Sequence, residues 1–255
     1  MKGQPIMDQI RFQQACRKIM DNPRARNGIG TLSEKTLHAV LKEYFEPFED
    51  SHEVRIGGYV ADIVGENGII EIQTANLGKL RKKLEAFLKV CDVTVVYPMI
   101  GLKYLRWLDE ETGELTDRRK SPKKPNAFNG IAELYKIKYL LNEPKLHICL
   151  CILEADEIRY LNGWSENKKK GSSRCDYVPV NILDEIYLHS SEDYAELIPK
   201  ELPEKFSSAQ FAKVCKISRA AAQTALNVMT FTRSVERCGK EGNAIIYRVS
   251  DILKP

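Results

Sequence analysis

The stretch from Tyr59 to Gln73, YVADIVGENGIIEIQ, restricts the fold more than any other part of the chain. Two short runs rich in strand formers, 59–64 and 69–73, flank Gly65-Glu66-Asn67-Gly68, and Asn-Gly is the strongest short hairpin signal. Each run carries an acid, Asp62 or Glu71, where an apolar residue would pack better. A two-residue loop at Asn67-Gly68 sets Asp62 opposite Gln73, whereas a four-residue loop over 65–68 sets Asp62 opposite Glu71. Side chains alternate along a strand, so both registers put Asp62, Glu71 and Gln73 on one face. Two carboxylates that close on a half-buried sheet repel, lose hydration and need a cation or a shared proton. A hard divalent ion with oxygen ligands, Mg²⁺, is the natural partner, with Mn²⁺ as its substitute.

The surrounding pattern reads helix, three strands, helix, strand. Apolar spacing predicts a helix over 5–20 that Asn22-Pro23 stops, and a second over 34–45 with Leu37, Val40, Leu41 and Tyr44 on its buried face. His52 to Ile56 reads as a strand ahead of the hairpin. A helix over 77–90 follows, with a buried stripe of Leu77, Leu80, Leu84, Phe87 and Leu88, and Lys79 and Lys82 among its cations. Asp92 to Tyr97 then reads as a buried strand.

Asp62, eight intervening residues, then Glu71-Ile72-Gln73, set in this element order, resembles the PD-(D/E)xK nuclease superfamily with its restriction-endonuclease-like fold. Ala61-Asp62 stands where that family has its Asp, and Glu71-x-Gln73 where it has (D/E)-x-K. Gln73 departs from the pattern, although some restriction endonucleases of the family use Gln there. The resemblance implies an α/β fold with an αβββαβ core and a central mixed sheet. It implies a metal held by Asp62 and Glu71, with Gln73 orienting a water or a metal ligand. Glu34 either matches the acid that many members carry on the helix before the sheet or simply complements its own helix dipole.

Further along, Leu102 to Leu108 and Glu114 to Arg118 read as a second hairpin. The run Arg118 to Pro125 carries five cations in a proline-bearing loop, which meets either phosphate or water. Phe128 to Leu141 reads as a helix and LHICLCIL, 146–153, as a central buried strand with a structural His147. Glu157 to Leu161 reads as a further strand, and 178–200 as two short helices with a strand-like piece. Residues 1–200 are thereby expected to form the nuclease-like domain, and prolines 199 and 203 to bracket a linker.

The balance of charge changes after that linker. Residues 205–255 hold nine Lys and Arg against three Asp and Glu, a net of +6, whereas the rest of the chain has a net of −2. Ser207 and Gln210 have capping-box spacing, Ser218 caps a second helix, and 234–238 and 244–249 form a hairpin. Two helices at a tight turn followed by a hairpin resemble a winged helix-turn-helix domain over 205–255. That resemblance implies DNA contact through Arg219, Gln223 and Asn227 on the second helix and Lys240 on the wing.

Composition brings little more. With 43% hydrophobic and 29% charged residues, no apolar run of membrane-span length and no signal-peptide core, the chain is expected to be a cytoplasmic protein without membrane partners. Seven scattered cysteines without a C-x-x-C pair, and four histidines, argue against zinc. The expectation is a Mg²⁺-dependent endodeoxyribonuclease, a restriction-type enzyme whose partner is DNA and which acts as a homodimer to cut both strands. The competing expectations are a non-catalytic DNA-binding regulator on the same scaffold and a structure-specific repair or junction nuclease.

Overall fold

The apolar runs at Val93–Tyr97 and Leu146–Leu153 lie in the middle of a mixed seven-stranded sheet. The computed structural model describes residues 8–21, 35–122, 124–160 and 173–250. Strands β1 (His52–Ile56), β2 (Tyr59–Gly65), β3 (Gly68–Ile72) and β4 (Val93–Leu108) are neighbours in that order, and the two-residue β5 (Arg119–Lys120) pairs with β4. Beyond β4 come β6 (Leu146–Tyr160) and β7 (Arg174–Leu188). The β3–β4 and β4–β6 pairs are parallel and the others antiparallel.

Helices cover both faces. Helices α1 (Gln9–Met20) and α2 (Lys35–Phe45) bring Phe12, Leu37, Val40 and Leu41 onto Ile63, Ile72, Val96, Cys149 and Cys151. On the other face lie a 3₁₀ turn (Leu77–Leu80), α3 (Arg81–Phe87), α4 (Ala127–Leu134) and its 3₁₀ extension (Tyr135–Leu140). They pack Leu77, Leu84, Phe87, Ile131 and Leu134 with Ile69, Val93, Val95, Ile148 and Leu150. Successive residues of β4 and β6 thus enter opposite cores, which explains why both strands read as unbroken apolar runs. Helix α3 has only seven residues and is too short to hold itself. Full burial of Leu84 and Phe87, at about 1.5–3 kcal/mol each, holds it in place.

The remaining elements are α5 (Ser191–Glu196), β8 (Phe206–Ser207), α6 (Ser208–Val214), α7 (Arg219–Phe231), β9 (Val235–Glu241) and β10 (Ala244–Val249). The last three strands form a small sheet in the order β8–β10–β9. Both caps foreseen in the sequence form. The Gln210 amide N–H donates to Ser207 Oγ at 3.3 Å, Ser207 N–H donates to Gln210 Oε1 at 2.8 Å, and Ala221 N–H donates to Ser218 Oγ at 3.1 Å. This C-terminal part continues the main core: Phe128 meets Phe211 edge-on with ring centres 4.9 Å apart, and Leu226 and Met229 join the cluster around Ile131.

The chain does fold back after Leu108 as expected: Leu108 bridges Leu115, Thr116 N–H donates to the Trp107 carbonyl at 2.9 Å, and β5 pairs antiparallel with Tyr104 and Leu105, the first arm being the end of the long strand β4. Two expectations are corrected. The strands expected at 146–153 and 157–161 are one strand, β6. Most of 178–200 belongs to β7 and a single helix, α5. Charges concealed these continuations. Glu154 and Asp156 are both held by Arg118, and Glu157 by Lys103 and Arg159, so acids in mid-strand are compensated by cations of which Arg118 and Lys103 are distant in sequence. Among the described residues no helix is long and apolar enough to cross a membrane.

The turn before β3 offers a test. Gly68 has φ +110°, and a Cβ built there would strike the Asp92 carbonyl oxygen, which accepts the Ile69 N–H at 2.9 Å. Gly68→Ala is expected to cost about 2 kcal/mol or more, read as a fall in the urea midpoint with an unchanged m-value.

Candidate active site

Local sequence sets the hairpin register. Gly65 pairs with Gly68, Val64 with Ile69 and Ile63 with Ile70, so the two-residue loop is Glu66-Asn67 and Gly68 takes the positive-φ position after it. Continued one step, this register brings Asp62 opposite Glu71. There the backbone ladder gives way to side chains. Asp62 N–H donates to Glu71 Oε1 at 3.2 Å, and Ile72 N–H donates to Asp62 Oδ2 at 2.8 Å. Each acid therefore satisfies a main-chain donor of the opposite strand, which lets both remain within a sheet.

Two basic side chains complete the site, and neither was among the residues expected there. Lys83, on α3, places Nζ 2.5 Å from Glu71 Oε2. His38, on α2, places Nε2 3.3 Å from Asp62 Oδ2. Glu71 is only 1% exposed, while the Lys83 side chain keeps 18% exposure toward an open cleft of about 560 Å³. Lys42 and Glu53 form another wall of the cleft and pair at 2.7 Å. A signal for Lys83 was present in the sequence. It stands three residues after Leu80 and four before Phe87, within the buried stripe, where a lysine needs a partner.

The electrostatics of the two acids diverge. Burial, reinforced by the charge of Asp62, pushes the Glu71 carboxyl up to about 7 against the pull of Lys83. Burial would also raise Asp62, but the hydrogen bond and charge of His38, with the Ile72 amide, outweigh it and hold Asp62 below its ordinary value.

The other expected site residues are dispersed. Gln73 lines the cleft, and its side-chain amide donates to the Ala75 carbonyl. Glu34 lies outside the described residues. Lys79 and Lys82 are exposed on the 77–87 segment, and Arg219, Gln223 and Lys240 are exposed on the C-terminal part. Asn227 is not free, because its Oδ1 accepts from Lys138 Nζ at 2.9 Å. Among the described residues no cluster of three or more His, Cys, Asp or Glu side chains is arranged for a metal ion. The donor set present, two facing carboxylates beside an open cleft, fits Mg²⁺, which takes one or two carboxylates and fills its other positions with water and phosphate oxygens.

The family model described as "Domain of unknown function (DUF8091)" matches residues 35–189, the body from α2 through β7. A protein of Treponema pallidum (strain Nichols), described as an uncharacterized protein, is 32% identical over 194 residues, covering 72% of this chain and 74% of its own. No solved structure matches.

The raised Glu71 carboxyl has a consequence for stability. The folded state holds this proton up to about pH 7, whereas the unfolded chain releases it near 4.5, so this group's contribution falls as pH rises between those values. In chelator-treated protein, Glu71→Gln is expected to lessen the fall in melting temperature between about pH 5 and about pH 8. An equal fall in the two proteins would contradict that assignment.

Proposed function

This chain belongs to the DUF8091 family, and we propose that it is a Mg²⁺-dependent endodeoxyribonuclease of the PD-(D/E)xK type, hydrolysing DNA phosphodiester bonds in the cleft of Asp62, Glu71 and Lys83. The observation that carries this reading is the facing pair Asp62 and Glu71 on adjacent strands, with Lys83 delivered by the following helix. The run α2, β1, β2, β3, α3, β4 supports it, since it follows the αβββαβ order. Asp62 and Glu71 would hold the ion, which when bound lowers the pKa of an attacking water and stabilises charge on the phosphate.

The chain's own groups do the rest. The Ile72 amide and His38 fix the Asp62 carboxylate. Lys83 places a fixed positive charge beside Glu71, and from there its ammonium can donate to a phosphate oxygen or a water. It thus supplies the cation that Gln73 cannot. Residues 206–249, with two helices at a tight turn and the β9–β10 hairpin, support a winged helix-turn-helix reading in which exposed Arg219 and Gln223 face DNA.

A second reading, a DNA-binding protein that does not cut, is favoured by one feature. Lys83 and His38 already engage the two acids, and the Gln73 amide is engaged with the Ala75 carbonyl.

Plasmid nicking in Mg²⁺ separates the two. Wild type is expected to cut. Asp62→Ala and Glu71→Ala should abolish cutting, Lys83→Ala should slow it by about 10²-fold, and Gln73→Ala should leave it nearly unchanged. Circular dichroism checks that each variant folds. Plasmid binding with no cleavage in Mg²⁺ or Mn²⁺ would sink the nuclease reading and leave the scaffold reading.

A further inference from the structure

Two stretches of the chain carry cations and no acid. From Arg118 to Ala132 there are five Lys and Arg and no Asp or Glu. From Lys205 to Val235 there are again five and none. Residues 133–204 separate them in sequence, but the fold brings them together. Asn126 Nδ2 donates to the Cys215 carbonyl at 2.6 Å, and Phe128 stacks edge-on against Phe211. The basic loop ending at Asn126 is thereby fastened to the turn between α6 and α7. Lys124 is two residues from one end of that hydrogen bond, and Lys216 adjoins the other.

We infer that the basic loop (residues 118–122 and 124–126) and the turn 213–219 form one docking surface for the phosphate backbone of duplex DNA. Arg119, Lys124, Lys213, Lys216 and Arg219 are exposed. Among the described residues Lys124, Lys213, Lys216 and Arg219 take part in no ion pair, so binding a phosphate breaks no existing contact. Lys216 also holds a left-handed backbone, φ +53°, at the helix terminus, a position where glycine or asparagine is usual. None of the exposed large hydrophobic side chains belongs to either segment, which is the pattern of a polyanion surface and not of a lipid or apolar protein interface.

The same packing argues against base reading by α7. Asn227 is held by Lys138 of the body, while Ala220, Ala221 and Thr224 face an open groove between α7 and α4. With Asn227 engaged, α7 has lost part of the face that a major groove would need, whereas its N-terminal turn stays open. The contact is therefore with backbone and is independent of base sequence. Only the choice of DNA as the polyanion rests on the nuclease reading.

The test is fluorescence anisotropy of a labelled mixed-sequence duplex in EDTA, using the full chain, at about 50 and about 200 mM salt. The double variant Lys124→Glu/Lys216→Glu is expected to weaken binding about tenfold or more and to lower the salt slope by about two. Lys89→Glu, an exposed lysine of another surface, controls for net charge, and a thermal melt controls for folding. Unchanged affinity and slope in the double variant would overturn the inference, as would a loss no larger than that of Lys89→Glu. So would loss of binding to anionic phosphatidylserine vesicles with duplex binding intact. A failed nuclease reading looks different: wild type binds the duplex, the double variant does not, and neither cuts.

Discussion

The buried contact among Asp62, Glu71 and Lys83 makes the strictest demands on the rest of the fold. A carboxylate as enclosed as Glu71, left alone, would cost several kcal/mol in lost hydration. It is tolerated because the opposite strand supplies an amide and α3 supplies an ammonium. Each partner depends on a separate condition. The amide requires the β2–β3 register set by the Glu66-Asn67 turn. The ammonium requires α3 to pack at the right height over β3, which the buried side chains of Leu80, Leu84 and Phe87 enforce. A slip of one residue in the hairpin would send Glu71 to the opposite face, away from Lys83.

The C-terminal part is joined to this body by apolar packing and by polar fastenings. Phe206, Phe211, Leu226 and Met229 share one core with Ile131 and Leu134. Asn126, Lys138 and Asn142 each bond across the junction, to Cys215, Asn227 and Phe231. The expected boundary after residue 200 is thus a change of local pattern within a shared core. A continuous core also orients the basic turn 213–219 relative to the body, which a flexible linker could not do.

Much of the framework was legible in the sequence because local patterns carry it. The hairpin, the capping box at Ser207 and the cap at Ser218, the central strand at 146–153 and the αβββαβ element order all follow from periodicity and turn chemistry over short windows. The far half of β6 was misread for one physical reason. Its acids look like strand breakers until Arg118, Lys103 and Arg159 are placed beside them, and two of these three cations lie more than thirty residues from the acids they hold. Lys83 was overlooked for a related reason: one lysine among several on a helix looks like solvated charge unless its place in the buried stripe is weighed.

The sequence by itself determined the hairpin strands, the two acids they carry, and where the basic residues concentrate. Those are consequences of alternation, turn preference and composition, and each acts over a few residues. Only the tertiary structure decided that Asp62 faces Glu71, that Lys83 and His38 engage them, that the Gln73 amide bonds the Ala75 carbonyl, and that two acid-free segments far apart in sequence meet at Asn126 and Cys215. These depend on which side chains the packed helices bring over the sheet. That is settled by the mutual burial of distant apolar stripes, which no local pattern contains.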